Sequence, residues 1–490
     1  MLVKIGPYQI LLDCGLTDVS KLPSTDLSLV WCSHAHADHA QGLAALHQAF
    51  PDLPIYASEV TAELLPTDCC QALPWNCPIE LQEGLTAEIM PAGHLPGAAA
   101  ILFTYQGTER SYSLLYTGDF FLSNSRFAEG LSLTDMRVHR PDVLIIEGSY
   151  GTARQPHRRQ QENTLVEQVS QALHQHRSIG ILAPQLGQAQ EIILLLRSHH
   201  LFTGRNVDLW VDESIAEICD RYLHCLPQLP ATVQNFARNQ SLFWDEKVKP
   251  RVRRLITRLA SRASNGEVFL VSDRSPLPTD LDVLMVPQQL ATDINDRAYL
   301  LTDHSDGLGT TQLIHNLRPQ HVVFVHGSPT YLSDLTGLDE LNSRYQLHSP
   351  ATGTLVELPI SDIFMQSTAL IGGAFETGYE GEITEELEKV VISLPHTVTT
   401  DPRWRDLADT GLVEARWQGE ELVLRGMTAK QLLRESYSNK VDSAIACCAN
   451  CRYQRGNRCG SEDSVLYGFK VTPTGVCPAF MGLDNQELQH

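Results

Sequence analysis

The chain has 490 residues, which at roughly 150 residues per domain gives about three domains and ample polypeptide to bury cores. Its 37 basic and 58 acidic residues leave a formal charge of −21, which excludes nucleic-acid binding by bulk positive charge, so any handling of a polyanion has to be local. An apolar share of 43% and a charged share of 19% exclude a disordered or fibrous protein, and no aliphatic run approaches the ~18 residues of a membrane span.

The start, Met1-Leu2-Val3-Lys4-Ile5, runs straight into a strand-like pattern without a basic stretch and apolar core. The expectation is a cytoplasmic protein with no membrane association. Short apolar runs of strand length then alternate with turn signals. Residues 8–12 precede Asp13-Cys14-Gly15, and 27–31 precede Cys32-Ser33-His34. Residues 113–116 precede Thr117-Gly118-Asp119, and 143–146 precede Glu147-Gly148-Ser149. Later, 179–183 precede Pro184, and 322–325 precede His326-Gly327. Several of these runs end in His, Asp or Glu, and layered α/β proteins gather ligands beyond the carboxyl ends of their strands.

Helical spacing is predicted over 161–174, 188–197 and 247–262. The last carries Arg251, Arg254, Arg258 and Arg262 on one helix face, either a solvated charged surface or a contact to an RNA backbone. Beyond about residue 370 the texture changes. Gly372-Gly373 and the 378–381 stretch read as a linker, followed by an acidic helix over 382–391. Residues 412–417 and 421–424 flank Gln418-Gly419 as a hairpin, and Thr428 is placed to cap a helix through Glu435.

The strongest chemical signal is Ser33-His34-Ala35-His36-Ala37-Asp38-His39. Three imidazoles and a carboxylate just after a strand suit a pair of divalent metals of the zinc type. Isolated residues of the same kind recur at His94 in Gly93-His94-Leu95, at Asp119 and at His326. By these motifs the sequence resembles the metallo-β-lactamase superfamily. The resemblance implies an α/β fold, an αββα sandwich with a two-metal site between its sheets. His34, His36 and His94 would hold one metal, Asp38, His39 and His326 the other, with Asp119 bridging and Asp13 buttressing the site. Zinc is the expected metal, with manganese as the alternative.

Further matches narrow the branch. Glu147-Gly148-Ser149-Tyr150-Gly151 resembles motif A of the β-CASP group, His304 in Asp303-His304-Ser305-Asp306 resembles motif B, and His326 stands at motif C. Residues 184–191 resemble the opening of the inserted β-CASP domain, and Asp212-Glu213 a further β-CASP element. The likeness spans roughly residues 3–365 and points to the relatives of ribonuclease J and of the endonuclease of messenger-RNA 3′-end cleavage. The implied layout is a first metallo-β-lactamase segment (1–153), the inserted α/β domain (154–298), a second metallo-β-lactamase segment (299–370), an appended α+β segment (371–440) and a small Cys-rich module (441–490). Where that family usually has Gly-Arg, this chain has Gly187-Gln188. The 268–299 stretch also lacks the Gly-rich segments common before motif B.

The implied activity is hydrolysis of RNA phosphodiesters, with DNA also in range because some relatives process it. Two metals roughly 3.5–4 Å apart share a hydroxide and clamp an in-line displacement. Asp38, Glu147 and His304 are the candidate catalytic residues, with His304 as the acid for the leaving ribose oxygen, oriented by Glu147. The alternatives are hydrolysis of a small ester or another phosphodiester on the same fold, and a scaffold paralogue without turnover.

Five of the twelve cysteines, Cys447, Cys448, Cys451, Cys459 and Cys477, crowd the C-terminal end. Clustered cysteines without a secretory signal are more often metal ligands than a disulfide framework. Cys448-Ala449-Asn450-Cys451 and the ending Gly475-Val476-Cys477-Pro478 resemble high-potential iron–sulfur proteins. That implies a [4Fe–4S] cluster on Cys448, Cys451, Cys459 and Cys477, with a structural zinc as the alternative. A homodimer contact or another protein at this module is the remaining partner expectation.

Overall fold

A computed structural model of the chain describes residues 1–22, 26–255, 266–275, 281–287 and 298–360, together with strand and hairpin segments at 382–386, 389–393, 413–418, 421–426, 452–455 and 458–461. Two units divide it, Met1–Ser367 and Thr368–His490.

Three sheets build the first unit. The first runs β1 (Leu2–Ile5), β2 (Tyr8–Leu12), β3 (Leu29–Trp31), β4 (Ile55–Ser58) and β5 (Gln71–Leu73) in that order. The second takes β6 (Ile79–Gln82), β7 (Leu85–Pro91), β8 (Ala99–Gln106), β9 (Ser111–Tyr116) and β10 (Val143–Glu147). It then continues through two late strands, β16 (His321–Val325) and β17 (Gln346–His348). Alternate residues of a strand point to opposite faces, and the core divides by that rule. Leu85, Ala87 and Ile89 of β7 and Ile101 and Phe103 of β8 pack with Ile10, Leu12, Leu29 and Trp31 of the first sheet. Met90, Leu102, Leu144, Ile146 and Phe324 join Leu313, Ile314 and Leu317 of the Gly307–Leu317 helix. On the other side, Leu11, Val30, Ile55 and Ala57 pack against Leu43 and Leu46 of the Leu43–Ala49 helix. The result is the expected helix–sheet–sheet–helix sandwich. Each large aliphatic side chain so buried contributes about 1.5–3 kcal/mol.

β10 and β16 are parallel neighbours, with Val143 opposite His321. Between them in sequence lies a third sheet, ordered β13 (Arg251–Arg254), β12 (Asp208–Val211), β14 (Val268–Ser272), β11 (Ile179–Ala183) and β15 (Asp282–Met285). All its pairings are parallel. Its inner strands read as continuous apolar runs, as strands covered on both faces do. The helices Arg158–His174, Gln188–Ser198 and Glu213–His224 interleave with these strands. Ile181, Leu209 and Leu270 belong to the same cluster as Leu144 and Ile146, so the insert and the sandwich share one core.

Two expectations are overturned. Residues 251–254, expected within an arginine-faced helix, form β13 instead. Pro250 disfavours a helical residue before it and supplies no N–H, while Val252 buries itself beside β12. Arg251 Nε lies 2.5 Å from Asp208 Oδ1. Arg254 pairs with Asp220 and stands 4.6 Å above the Trp244 ring. These two candidate RNA contacts are therefore matched by carboxylates of the chain itself, and the shared helix face is absent there. Arg258 and Arg262 lie outside the described residues.

The second overturned expectation is the acidic helix over 382–391. It is an antiparallel hairpin of β18 (Glu382–Glu386) and β19 (Lys389–Ser393). The run Val390-Val391-Ile392 is β-branched and favours a strand. The hairpin expected around Gln418 is present as β20 (Val413–Gln418) and β21 (Glu421–Gly426), with Gln418 opposite Glu421. A last hairpin joins β22 (Gln454–Arg455) to β23 (Arg458–Cys459). The helix expected after Thr428 lies outside the described residues. Among the described residues no helix is long and apolar enough to cross a membrane.

Candidate metal centre

β2 and β3 run parallel, as do β9, β10 and β16, so their carboxyl ends open on common edges of the two sheets. Asp13 follows β2, His34 and His36 follow β3, His94 follows β7, Asp119 follows β9, Glu147 ends β10 and His326 follows β16. Asp13 and His326 hold left-handed backbone conformations (φ 57° and 50°), which side chains rarely adopt. Such strain concentrates at sites that use the side chain so displayed.

Ligand atoms of His34, His36, His94 and Asp119 all lie within 4.8 Å of one another, and so do those of Asp38, His39 and His326. His36 Nδ1 is 3.2 Å from His34 Nε2 and 3.0 Å from His94 Nε2. Asp38 Oδ2 is 3.2 Å from His326 Nε2 and 3.7 Å from His39 Nε2. Asp119 touches both groups, with Oδ2 at 3.6 Å from His34 Nε2 and 3.4 Å from His39 Nε2, and Oδ1 at 2.9 Å from His326 Nδ1.

The buttress is equally specific. The buried Asp13 carboxylate accepts from the Ser33 N–H at 2.6 Å, the Ser33 hydroxyl at 2.8 Å and the Tyr116 hydroxyl at 2.6 Å. Its contact to His39 Nδ1 at 2.7 Å turns His39 Nε2 toward Asp38 and Asp119. His94 Nδ1 likewise meets the Asp303 carbonyl at 2.8 Å, leaving Nε2 for the cluster. Fixing one ring nitrogen so that the other faces a metal is the usual support of histidine ligands.

Burial, reinforced by neighbouring imidazoles, pushes His36 down to about 3, His94 down to about 4 and His34 well below the ordinary value. These rings are therefore neutral lone-pair donors, the form a metal requires. Burial works against charge on Asp119 and His39 as well, but their mutual attraction prevails. Asp119 is held well below the carboxylate range, and Asp119 with Asp13 lifts His39 to about 10. Positive charge at this spot is thus favoured, and His39 Nε2 is buried without a hydrogen-bond partner among the described residues. The donor set fits two divalent ions.

Beside it stands a different pair. His304 Nδ1 is 2.8 Å from Glu147 Oε2, both fully buried. Glu147 also accepts from the Phe120 N–H at 2.6 Å and from the Ser149 hydroxyl. Burial opposes charge on His304, yet Glu147, Asp119 and Asp303 raise it to about 10.

Of the cysteine tail only Cys459 is described, on β23 opposite Gln454; Cys448, Cys451 and Cys477 lie outside the described residues. Ser33, Tyr116 and Asp303 are site residues the sequence did not single out. Ser33 carried a signal in its adjacency to His34 and Asp303 in its adjacency to His304, whereas Tyr116 carried none.

Residues 8–186 match the β-lactamase superfamily domain. An uncharacterized protein of Synechocystis is 46% identical across 97% of this chain and 93% of its own length. A probable RNase of Methanocaldococcus jannaschii is 28% identical over 41% of this chain. An RNase J-like protein of the same organism is 26% identical over 47%. The aligned stretches cover 53% and 59% of those two archaeal proteins, so their likeness extends over only about half of each. The fold and site define a metal-dependent hydrolase class. The chain belongs to the metallo-β-lactamase superfamily, in its β-CASP branch.

Proposed function

We propose that the chain is a two-metal hydrolase that cuts RNA phosphodiesters, with zinc, or manganese in its place, held by His34, His36, His94, Asp119, Asp38, His39 and His326. Bound divalent ions would supply an activated water at neutral pH and compensate charge on the phosphoryl oxygens. The observation that carries the reading is the His304–Glu147 pair beside the ligand cluster. A carboxylate-oriented imidazole standing outside the two ligand groups is the arrangement a proton donor needs.

Glu147 receives two hydrogen bonds that fix it, from the Phe120 N–H and the Ser149 hydroxyl, and in turn it fixes the His304 ring. Nε2 of His304 has no hydrogen-bond partner among the described residues. A proton held there is available to the ribose oxygen that leaves phosphorus. Relatives named as RNases support RNA as the substrate class. We place the protein in the cytoplasm and assign RNA as its partner, with a protein contact at the C-terminal module.

A second reading, hydrolysis of a smaller ester or another phosphodiester, draws on the −21 charge and on the pairing of Arg251 and Arg254 with carboxylates. The deciding experiment incubates zinc-loaded protein and Asp119→Ala with end-labelled single-stranded RNA. Cutting by the wild type alone supports the RNA reading. No cutting by either, with turnover of a small phosphodiester by the wild type, replaces it with the second.

A further inference from the structure

Around His304 lies a set of buried polar atoms that the metal ligands do not use. Gln188, the first residue of the Gln188–Ser198 helix, is 3% exposed. Its Nε2 donates to the Leu301 carbonyl at 3.3 Å and approaches Asp303 Oδ2 at 3.4 Å. Two acceptors thus set the amide orientation, and they leave Oε1 facing elsewhere. Asp303, 6% exposed, has its Oδ1 at 3.8 Å from His304 Nε2. Tyr150, 5% exposed, has its ring centroid 6.1 Å from that of His304. Gln188 Oε1, Asp303 Oδ1, His304 Nε2 and the Tyr150 hydroxyl all lack a hydrogen-bond partner among the described residues.

A buried polar atom left unpaired costs about 1–3 kcal/mol, so an unpaired carboxyl oxygen and an unpaired imidazole nitrogen 3.8 Å apart indicate a ligand that completes them. The backbone position next to Gln188 borders the ligand group across open space. A Cβ added at Gly187 would meet only His36 Nε2, at 4.0 Å.

The chemistry of the atoms selects the occupant. Asp303 Oδ1 is an acceptor, so it requires a group that donates hydrogen. A phosphate oxygen offers only lone pairs. A hydroxyl, with one hydrogen to donate, satisfies it. The leaving oxygen facing His304 has such a neighbour when it is O3′ of a ribose, because O2′ sits on the adjoining carbon. Two oxygens on adjoining carbons can meet two groups 3.8 Å apart.

We propose that Asp303 Oδ1 accepts a hydrogen bond from the 2′-hydroxyl of the ribose whose O3′ receives the proton from His304, with Gln188 positioning that carboxyl group through its Nε2, and that the pair so selects ribose over deoxyribose at the cut linkage. Tyr150 adds a hydroxyl able to donate or accept near the same sugar. The proposal rests on the RNA-cleaving reading and deepens it, because the 2′-hydroxyl is the group that tells RNA from DNA at a given site.

The test uses the full-length, metal-loaded protein and short RNAs of one sequence carrying a single deoxyribose, moved one position at a time across the cut. Wild type, Gln188→Met and Asp303→Asn are compared, with metal content measured on each. The wild type is expected to lose at least roughly 10²-fold in kcat/KM when the deoxyribose lies immediately 5′ of the cut, as sites built around a substrate hydroxyl do. In both variants that ratio shrinks to about 10-fold or less at unchanged metal content. A wild type indifferent to the deoxyribose, or variants keeping the full ratio, overturns the subsite while RNA cleavage stands. A wild type that cuts none of the RNAs overturns the RNA reading and this subsite with it.

Discussion

His304 Nδ1 and Glu147 Oε2 meet at 2.8 Å where β10 ends, although the two residues come from opposite sides of the inserted domain in sequence. β10 and β16 pair directly, and the chain between them returns through Asp303 and His304 before entering the Gly307–Leu317 helix. The insertion therefore delivers His304 to the open edge of the sheet already carrying Asp119 and His326. Asp303 links the two functions, since its backbone carbonyl holds His94 while its side chain faces His304.

Replacing His304 by alanine is expected to lower turnover on RNA by roughly 10²–10⁴-fold, the usual worth of a positioned general acid. Metal content should stay at the wild-type level, because His304 is outside the ligand set and the ligands keep their own supports. Turnover equal to wild type would remove His304 from the chemistry. Glu147→Gln should fall in the same direction, since it leaves the ring without its oriented carboxylate.

Asp13 lies outside both ligand groups, yet it receives the Ser33 N–H, the Ser33 hydroxyl and the Tyr116 hydroxyl while orienting His39. Asp13→Asn is expected to weaken metal binding by about 10–100-fold, the range for loss of a ligand's supporting carboxylate. Competition with a chromophoric chelator reads this directly. An unchanged affinity would show that packing alone holds His39. Tyr116→Phe removes one bond to that carboxylate and should give a smaller loss.

The candidate ligands were legible because metal chemistry restricts residue types and because the strand ends announce themselves in sequence. His34 to His39 is a local signal, and His94, Asp119 and His326 each follow a run of strand composition. Tyr116 was illegible because its reason is a hydrogen bond to Asp13, more than two strands away in sequence. Gln188 and Asp303 meet only after the insert folds back on the sandwich. The arginine spacing from 251 misled because a helical period can arise in a strand whose buried residue is Val252 and whose arginines find Asp208 and Asp220. At 382–391 abundant glutamate suggested a helix, while the β-branched second half paired as a hairpin.

The cysteine tail makes a prediction separable from catalysis. A [4Fe–4S] cluster on Cys448, Cys451, Cys459 and Cys477 would make anaerobically purified protein brown, with broad visible absorption and about four irons per chain. Colourless protein carrying a third zinc instead assigns a structural zinc to those thiolates. Cys459→Ser should abolish whichever signal is present without altering the two metals of the sandwich.

Glu162 ties the insert to the sandwich and predicts a pH dependence. Both its oxygens receive Arg126, at 2.6 and 2.8 Å, and Arg158 Nε stands 3.1 Å from Oε1. Arg158 continues to Glu191 at 2.8 Å and to the Thr302 carbonyl at 2.8 Å, next to Asp303. Burial alone would raise the Glu162 carboxyl, but the two guanidinium groups outweigh it and hold the group below its ordinary value. A depressed folded value means the ionised carboxylate stabilises the fold above its unfolded value of about 4.3. That contribution is lost as pH falls below 4.3 and through the folded value. Glu162→Gln should therefore be less stable than wild type by roughly 1.5–3 kcal/mol at pH 7, the worth of hydrogen bonds to a charged group. In urea titrations of the metal-free proteins the difference should narrow as pH drops below about 4.3. A difference constant across that range would mean that Glu162 acts through shape and not through charge.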